Sequence, residues 1–199
     1  MDNQTLPKIK PLPTFDDVVD DCSKTFNDKL DLYGPSIFYL RPHAINDILL
    51  YKSVKIRESE PDIYDLNNES KEVWQEMANY ASVGLVVMSK GAADPIDKIK
   101  ESEYTSLRAK ILQECRDMQF AKMAEYGETW RAMDIRSFVD IVIAKIKRNA
   151  NMIERVKGSY FSPEQESCIT DNFTDIFNYA ILAILHLSGS KTSYREDVS

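Results

Sequence analysis

The sequence predicts an all-α protein in which one helical unit occurs twice. Three observations lead there. Apolar residues recur at helical spacing and no stretch shows the strict alternation of a half-buried strand. The helical stretches are bounded by capping residues, prolines and glycines. Residues 22–57 recur as residues 115–150 without a gap, pairing Cys22 with Cys115, Lys29 with Lys122, Tyr33-Gly34 with Tyr126-Gly127, and Lys52 with Lys145. Six residues are then inserted in the second stretch, after which Glu72, Glu76 and Asn79-Tyr80-Ala81 pair with Asp171, Asp175 and Asn178-Tyr179-Ala180. A repeat resets the fold prediction. Three helices per copy leave a thin core, so the copies are expected to pack on each other as a pseudo-twofold helical bundle.

In chain order, residues 1–13 carry Pro7, Pro11 and Pro13 and are expected to form a flexible arm. The first repeat spans 14–88. Thr14 caps a helix with Asp16 and Asp17 in its first turn and Gly34 at its end. Its apolar face is Phe15, Val18, Val19, Cys22, Phe26 and Leu30. A second helix over Ala44–Ile56 packs through Ile45, Ile48, Leu49, Leu50 and Tyr51, and a third covers Glu69–Met88. Residues 89–103, with Gly91 and Pro95, form a connector. The second repeat, 104–187, is expected to hold helices at Tyr104–Tyr126, Ser137–Val156 and Pro163–Leu187, the last capped by Ser162 with Pro163 in its first turn. Residues 188–199 are polar and read as a loose tail. The most apolar runs, Gly84–Met88 and Ile181–Leu187, mark the expected centre of packing.

Composition narrows the function. The chain of 199 residues and 22.9 kDa carries a formal charge of −7 and a pI near 5.0. The acid excess lies in residues 14–90, net −6, whereas 104–199 is balanced. A grip on duplex nucleic acid would favour a basic face, and none is expected here. No apolar run approaches a membrane span of about 18 residues. The polar start lacks a secretory signal, so a cytoplasmic location is expected. Three cysteines without knuckle spacing read as reduced thiols, and two histidines, His43 and His186, cannot build a histidine-rich metal site. No phosphate loop or dinucleotide fingerprint is present.

Three constellations could carry chemistry. The first is an acid, an acid four on and an asparagine three further: Glu72, Glu76, Asn79 and Asp171, Asp175, Asn178. On a helix the second acid lies about 40° to one side of the first and the asparagine about 20° to its other side, so all three share one face. Magnesium would relieve the repulsion of two carboxylates there; a solvated helix face is the plainer reading. The second is Asp47, Lys52, Lys55 and Asp140, Lys145, Arg148, a set that could hold phosphate oxygens or lock helices together. The third is Tyr33-Gly34 and Tyr126-Gly127. Glycine there ends a helix and tyrosine covers the core edge; in the second copy Trp130 and Arg131 could stack on a base or bind an anion.

These segments resemble a known family. Tyr126 to Arg131, Asp140 to Arg148 and Asp175 to Ala180 are similar to nucleotide modification associated domain 1, also called DUF1599, whose bacterial and phage members often carry the domain twice. The resemblance extends over residues 14–187 and is clearer in the second copy. The last helix of each copy is also similar to the last metal-binding helix of the all-α MazG and dimeric dUTPase pyrophosphohydrolases. Glu76 and Asp175 match the acid of that motif, whereas Asn79 and Asn178 stand where it has an aspartate. The resemblance implies a nucleotide-binding protein, with Mg2+-dependent hydrolysis of a (deoxy)nucleoside triphosphate as the implied activity. Glu76 and Asp175 would be catalytic. Glu72, Glu76, Asn79, Asp171 and Asp175 would hold the metal. Lys52, Lys55, Tyr126, Trp130, Arg131, Asp140, Lys145, Arg148 and Asn178 would hold the nucleotide. The alternative is a non-enzymatic module that sequesters nucleotides or docks a protein. Either a pseudo-twofold monomer or a homodimer fits.

Overall fold

The computed structural model describes residues 12–59, 64, 67–89, 103–156 and 160–193. The described residues form an all-α fold of six helices without a sheet: α1 (Phe15–Tyr33), α2 (Pro42–Glu58), α3 (Asn68–Met88), α4 (Tyr104–Tyr126), α5 (Ile135–Ile153) and α6 (Pro163–Ser193). A short 3-10 turn joins α1 to α2 and another joins α4 to α5.

Local chemistry accounts for the ends. The Thr14 hydroxyl accepts from the Asp17 amide at 3.2 Å, and the Thr14 amide donates to the Asp17 carboxylate at 2.8 Å, a reciprocal capping box. Asn67 caps α3 through the Ser70 amide. Asp134 caps α5, which starts two residues earlier than expected. Helices α1 and α4 both stop at a glycine with positive φ, 69° at Gly34 and 68° at Gly127, a conformation costly for any residue with a Cβ. Tyr33 and Tyr126 beside them are exposed rather than covering the core edge. Tyr51 is likewise exposed, on the outer side of α2.

Helix α6 runs six residues past its expected end at Leu187, to Ser193. Polarity alone does not stop a helix, and the Ser188 hydroxyl folds back onto the Ile184 carbonyl at 2.7 Å. The expected arm lies outside the described residues up to position 11, as do most of the connector and positions 194–199 of the tail.

Helices α3 and α6 form the centre. The two pack on each other, with Trp74, Ala78, Ala81, Phe173, Phe177 and Ala180 fully buried. A helix buried all round is apolar all round, which explains their apolar runs. Helices α2 and α5 pack on each other and on one side of this pair; α1 and α4 pack against its other side. Between α1 and α4, Arg116 reaches Asp16 and Asp20 while Phe15 meets Phe120 edge-on at 5.8 Å. Gly84 lets α3 approach α6 closely. A Cβ there would lie 2.9 Å from the buried Phe173 ring.

Candidate functional site

The layering brings one residue each from three helices together twice. Lys29 of α1 reaches Glu76 of α3 at 2.7 Å, and Lys52 of α2 holds the other carboxylate oxygen. In the second half, Lys122 of α4 reaches Asp175 of α6 at 2.9 Å and Lys145 of α5 reaches it at 2.6 Å. Each acid is largely buried, which pushes its carboxyl up. The two lysine hydrogen bonds outweigh that, and both carboxyls sit below their ordinary values. Each triad holds two cations on one anion.

The surroundings of the two triads differ. Lys55 in the first half is held by Glu69 at 2.7 Å. The residue in the place of Glu69 is Cys168, so Arg148, exposed on α5, has no ion partner among the described residues. Arg148 lines an open groove of about 760 Å³ together with Lys122, Lys145, Asp171 and Asp175. Lys122 and Asp175 also line a second, smaller slot of about 190 Å³, walled by Gln119, Tyr126, Trp130, Asn178 and Tyr179.

Within that slot Asn178 is 3% exposed, and among the described residues neither its amide nitrogen nor its oxygen has a hydrogen-bond partner. The buried Trp130 indole N–H also lacks one. Unpaired buried polar groups are costly, so this cluster calls for explanation. The first half explains it by contrast. Asn79 donates to the Cys22 carbonyl at 3.1 Å and accepts from the Arg108 guanidinium at 2.9 Å. Arg108 also donates to Ser82 at 2.9 Å and stacks on Phe26 at 3.9 Å. By the repeat spacing, Phe15 stands in the place of Arg108, Ile181 in that of Ser82 and Gln119 in that of Phe26. The second half therefore has no guanidinium to meet its asparagine.

The predicted residues divide accordingly. Lys145, Arg148, Asp171 and Asp175 share the groove; Tyr126, Trp130 and Asn178 share the slot. Arg131 pairs with Glu128 at 2.6 Å and lies 4.3 Å from the Trp130 ring. Lys52, Lys55, Glu72 and Glu76 take part in first-half ion pairs, Glu72 through Lys29 at 3.7 Å. Asp47 and Asp140 are exposed and line neither cavity. Asn79 points its amide at Cys22 and Arg108 rather than joining Glu72 and Glu76. Lys29 and Lys122 are not among the residues expected in the site, although both recur at the repeat spacing. That recurrence is the signal that marks them.

Among the described residues no group of three or more His, Cys, Asp or Glu side chains is placed to hold a metal. Glu76 and Asp175 each give their two oxygens to two ammonium groups. Cys22 and Cys115 lie in the core as their spacing implied, and burial pushes both thiols up to about 12, which keeps them protonated and inert. His186 packs against Phe138 at 5.6 Å, and burial lowers its pKa.

No described helix is long and apolar enough to cross a membrane. No curated protein and no solved structure matches the chain. Residues 122–187, which run from the lysine of the second triad to near the end of its apolar helix and include the groove residues Lys145, Arg148, Asp171 and Asp175, match the family model of DUF1599, nucleotide modification associated domain 1.

Proposed function

We propose that this protein binds a nucleotide, and that the second half carries the site. The observation that carries the reading is the shared wall. Lys122 and Asp175 line both the open basic groove and the aromatic slot beside it. A nucleotide has the same two-part chemistry, an anionic phosphate chain joined to a planar base. Lys122, Lys145 and Arg148 supply the cations for the phosphates, and Arg148 meets them with no carboxylate to displace. Trp130, Tyr126 and Tyr179 supply the apolar walls for the base. The match of residues 122–187 to a nucleotide modification associated domain supports the assignment to this half.

In this reading the first-half triad is a lock between α1, α2 and α3. The two halves are taken as copies of one unit in a pseudo-twofold arrangement, which their equal element order, paired positive-φ glycines and paired triads support. The function proposed is binding rather than hydrolysis, because two lysines neutralise the acid of the site. Magnesium enters the reading as the counter-ion of the phosphates.

Calorimetric titration with nucleoside triphosphates, with and without magnesium, tests this. Binding is expected, and Arg148→Glu is expected to weaken it tenfold or more with an unchanged melting temperature. Lys55→Glu in the first half is expected to leave affinity within twofold. No binding by the wild-type chain, or equal loss from the two variants, would sink the assignment. The remaining alternative, a protein-docking module, rests on the exposed Leu32, Tyr33 and Tyr51 of the first half. A flat titration would favour it.

A further inference from the structure

We infer that the cavity of the first half is a second ligand site, for a small carboxylate with an apolar body. The inference stands without the nucleotide reading above. The cavity opens between the last turns of α1, the 3-10 turn after it, α2 and α3. It measures about 630 Å³, within the range of about 300–1,000 Å³ common to small-molecule sites. Its walls are mostly apolar, made by Phe26, Leu30, Ile37, Leu40 and Ile48. Water against such walls favours an apolar occupant.

Charge fixes the sign of the ligand. Lys29 lines the cavity and offers three donors, of which Glu76 takes one at 2.7 Å. Behind the wall, Arg108 stacks on Phe26 at 3.9 Å and donates to Asn79 at 2.9 Å. No carboxylate pairs with it among the described residues, and burial lowers its pKa to about 10, which leaves it charged at neutral pH. Lys29, Lys52 and Arg108 therefore face Glu76 and the exposed, more distant Glu72. One cation is in excess, and apolar walls focus its field. A single carboxylate offsets that excess, whereas a triphosphate chain brings too much negative charge.

The repeat shows that this cavity takes a different ligand from the second half. Most of its lining positions correspond to those of the second-half slot, which measures about 190 Å³. By the repeat spacing, Trp130 stands in the place of Ile37 and Gln119 in that of Phe26. The first half thus trades a large ring for an aliphatic chain and a buried amide for an aromatic ring. Its asparagine is also paired within the chain, to Arg108 and the Cys22 carbonyl. The result is a roomier and more apolar space with a cation at its wall.

The experiment titrates the full chain with anilinonaphthalene sulfonate, an apolar monoanion that fluoresces on binding, and competes it with sodium decanoate and with decanol. Expected are saturable binding of the dye and displacement by decanoate at least tenfold more tightly than by decanol. Ile37→Trp, which installs the second-half residue, should weaken the dye at least tenfold at an unchanged melting temperature. If that variant melts lower, Ile48→Phe narrows the cavity from α2 and takes its place. Lys29→Gln should erase the preference for decanoate over decanol. Arg148→Glu should leave dye affinity within twofold, because the second-half groove is not the dye's site. Absence of saturable binding, equal displacement by the two competitors, or full affinity in the cavity-filling variant would overturn the inference. Loss of the dye in Arg148→Glu, or its displacement by nucleoside triphosphates, would overturn it too. Each of these failures leaves the nucleotide reading standing, and a chain that binds decanoate but no nucleotide would sink that reading alone.

Discussion

The two halves of the molecule share a lysine–carboxylate–lysine triad and differ in what lies beside it. Around Asn79, Ser82 and Phe26 of the first half and Arg108, reaching across from α4, close in, and Glu69 takes Lys55. At the positions paired with these around Asn178 and Arg148 stand Ile181, Gln119 and Cys168 of the second half and Phe15 of α1. Among the described residues, a handful of substitutions thus separates a paired asparagine, Asn79, from an unpaired one, Asn178, and a lysine held by a carboxylate, Lys55, from an arginine without an ion partner, Arg148. In the proposed function the triad is a lock in one half and part of a nucleotide site in the other. Satisfied networks rigidify, and an unpaired buried polar group is costly.

The comparison breaks most sharply at the two asparagines. Asn79→Leu removes an acceptor from a buried guanidinium and is expected to cost about 3 kcal/mol, the upper range for a hydrogen bond to a charged group. Asn178→Leu is expected to cost nothing. Urea denaturation of both variants checks this, and equal losses would end the asymmetry. Gly84→Val comes next. It drives a side chain into the Phe173 ring and is expected to destabilise by about 2 kcal/mol, as overpacking does. A melting temperature equal to wild type would show that α3 and α6 part easily.

The triads themselves allow a finer test. Glu76→Gln and Asp175→Asn each leave two lysines on a neutral group, and each is expected to lower stability by about 1 kcal/mol, since the pairs are partly solvated. Their binding effects should diverge. Asp175→Asn frees Lys122 and Lys145 and is expected to tighten tripolyphosphate binding severalfold, whereas Glu76→Gln leaves it unchanged. Weaker binding in Asp175→Asn would return that carboxylate to the role of a metal ligand.

The smallest effect is in pH. Both carboxyls titrate below their ordinary values when folded, so each contributes stability that is complete above about pH 5 and is lost as pH falls through the lowered value. Melting between pH 7 and 3 should fall less steeply in either neutral variant than in the wild type. Parallel curves would show that the triads carry none of the acid sensitivity.

Much of this is legible in the chain itself. Apolar spacing predicts α1, α3 and α4 to within one residue, because each has strong caps or a glycine stop: Thr14, Asn67, Gly34 and Gly127. The recurrence of Lys29, Lys52 and Glu76 as Lys122, Lys145 and Asp175 marks the triads, although the spacing of the acids suggests a metal between them. Helix spacing puts Glu72, Glu76 and Asn79 on one face of one helix, but it says nothing about which neighbouring helix presents a cation to that face. Only the packing of α1 and α2 on α3, and of α4 and α5 on α6, decided that lysines meet the acids. The fate of the asparagines was equally hidden. Whether the Asn79 oxygen is satisfied depends on Arg108, 29 positions away on another helix, and the position paired with Arg108 by the repeat, Phe15, offers no donor. Local order follows from residues near in sequence. Hydrogen-bond satisfaction in a core follows from residues brought near only by folding.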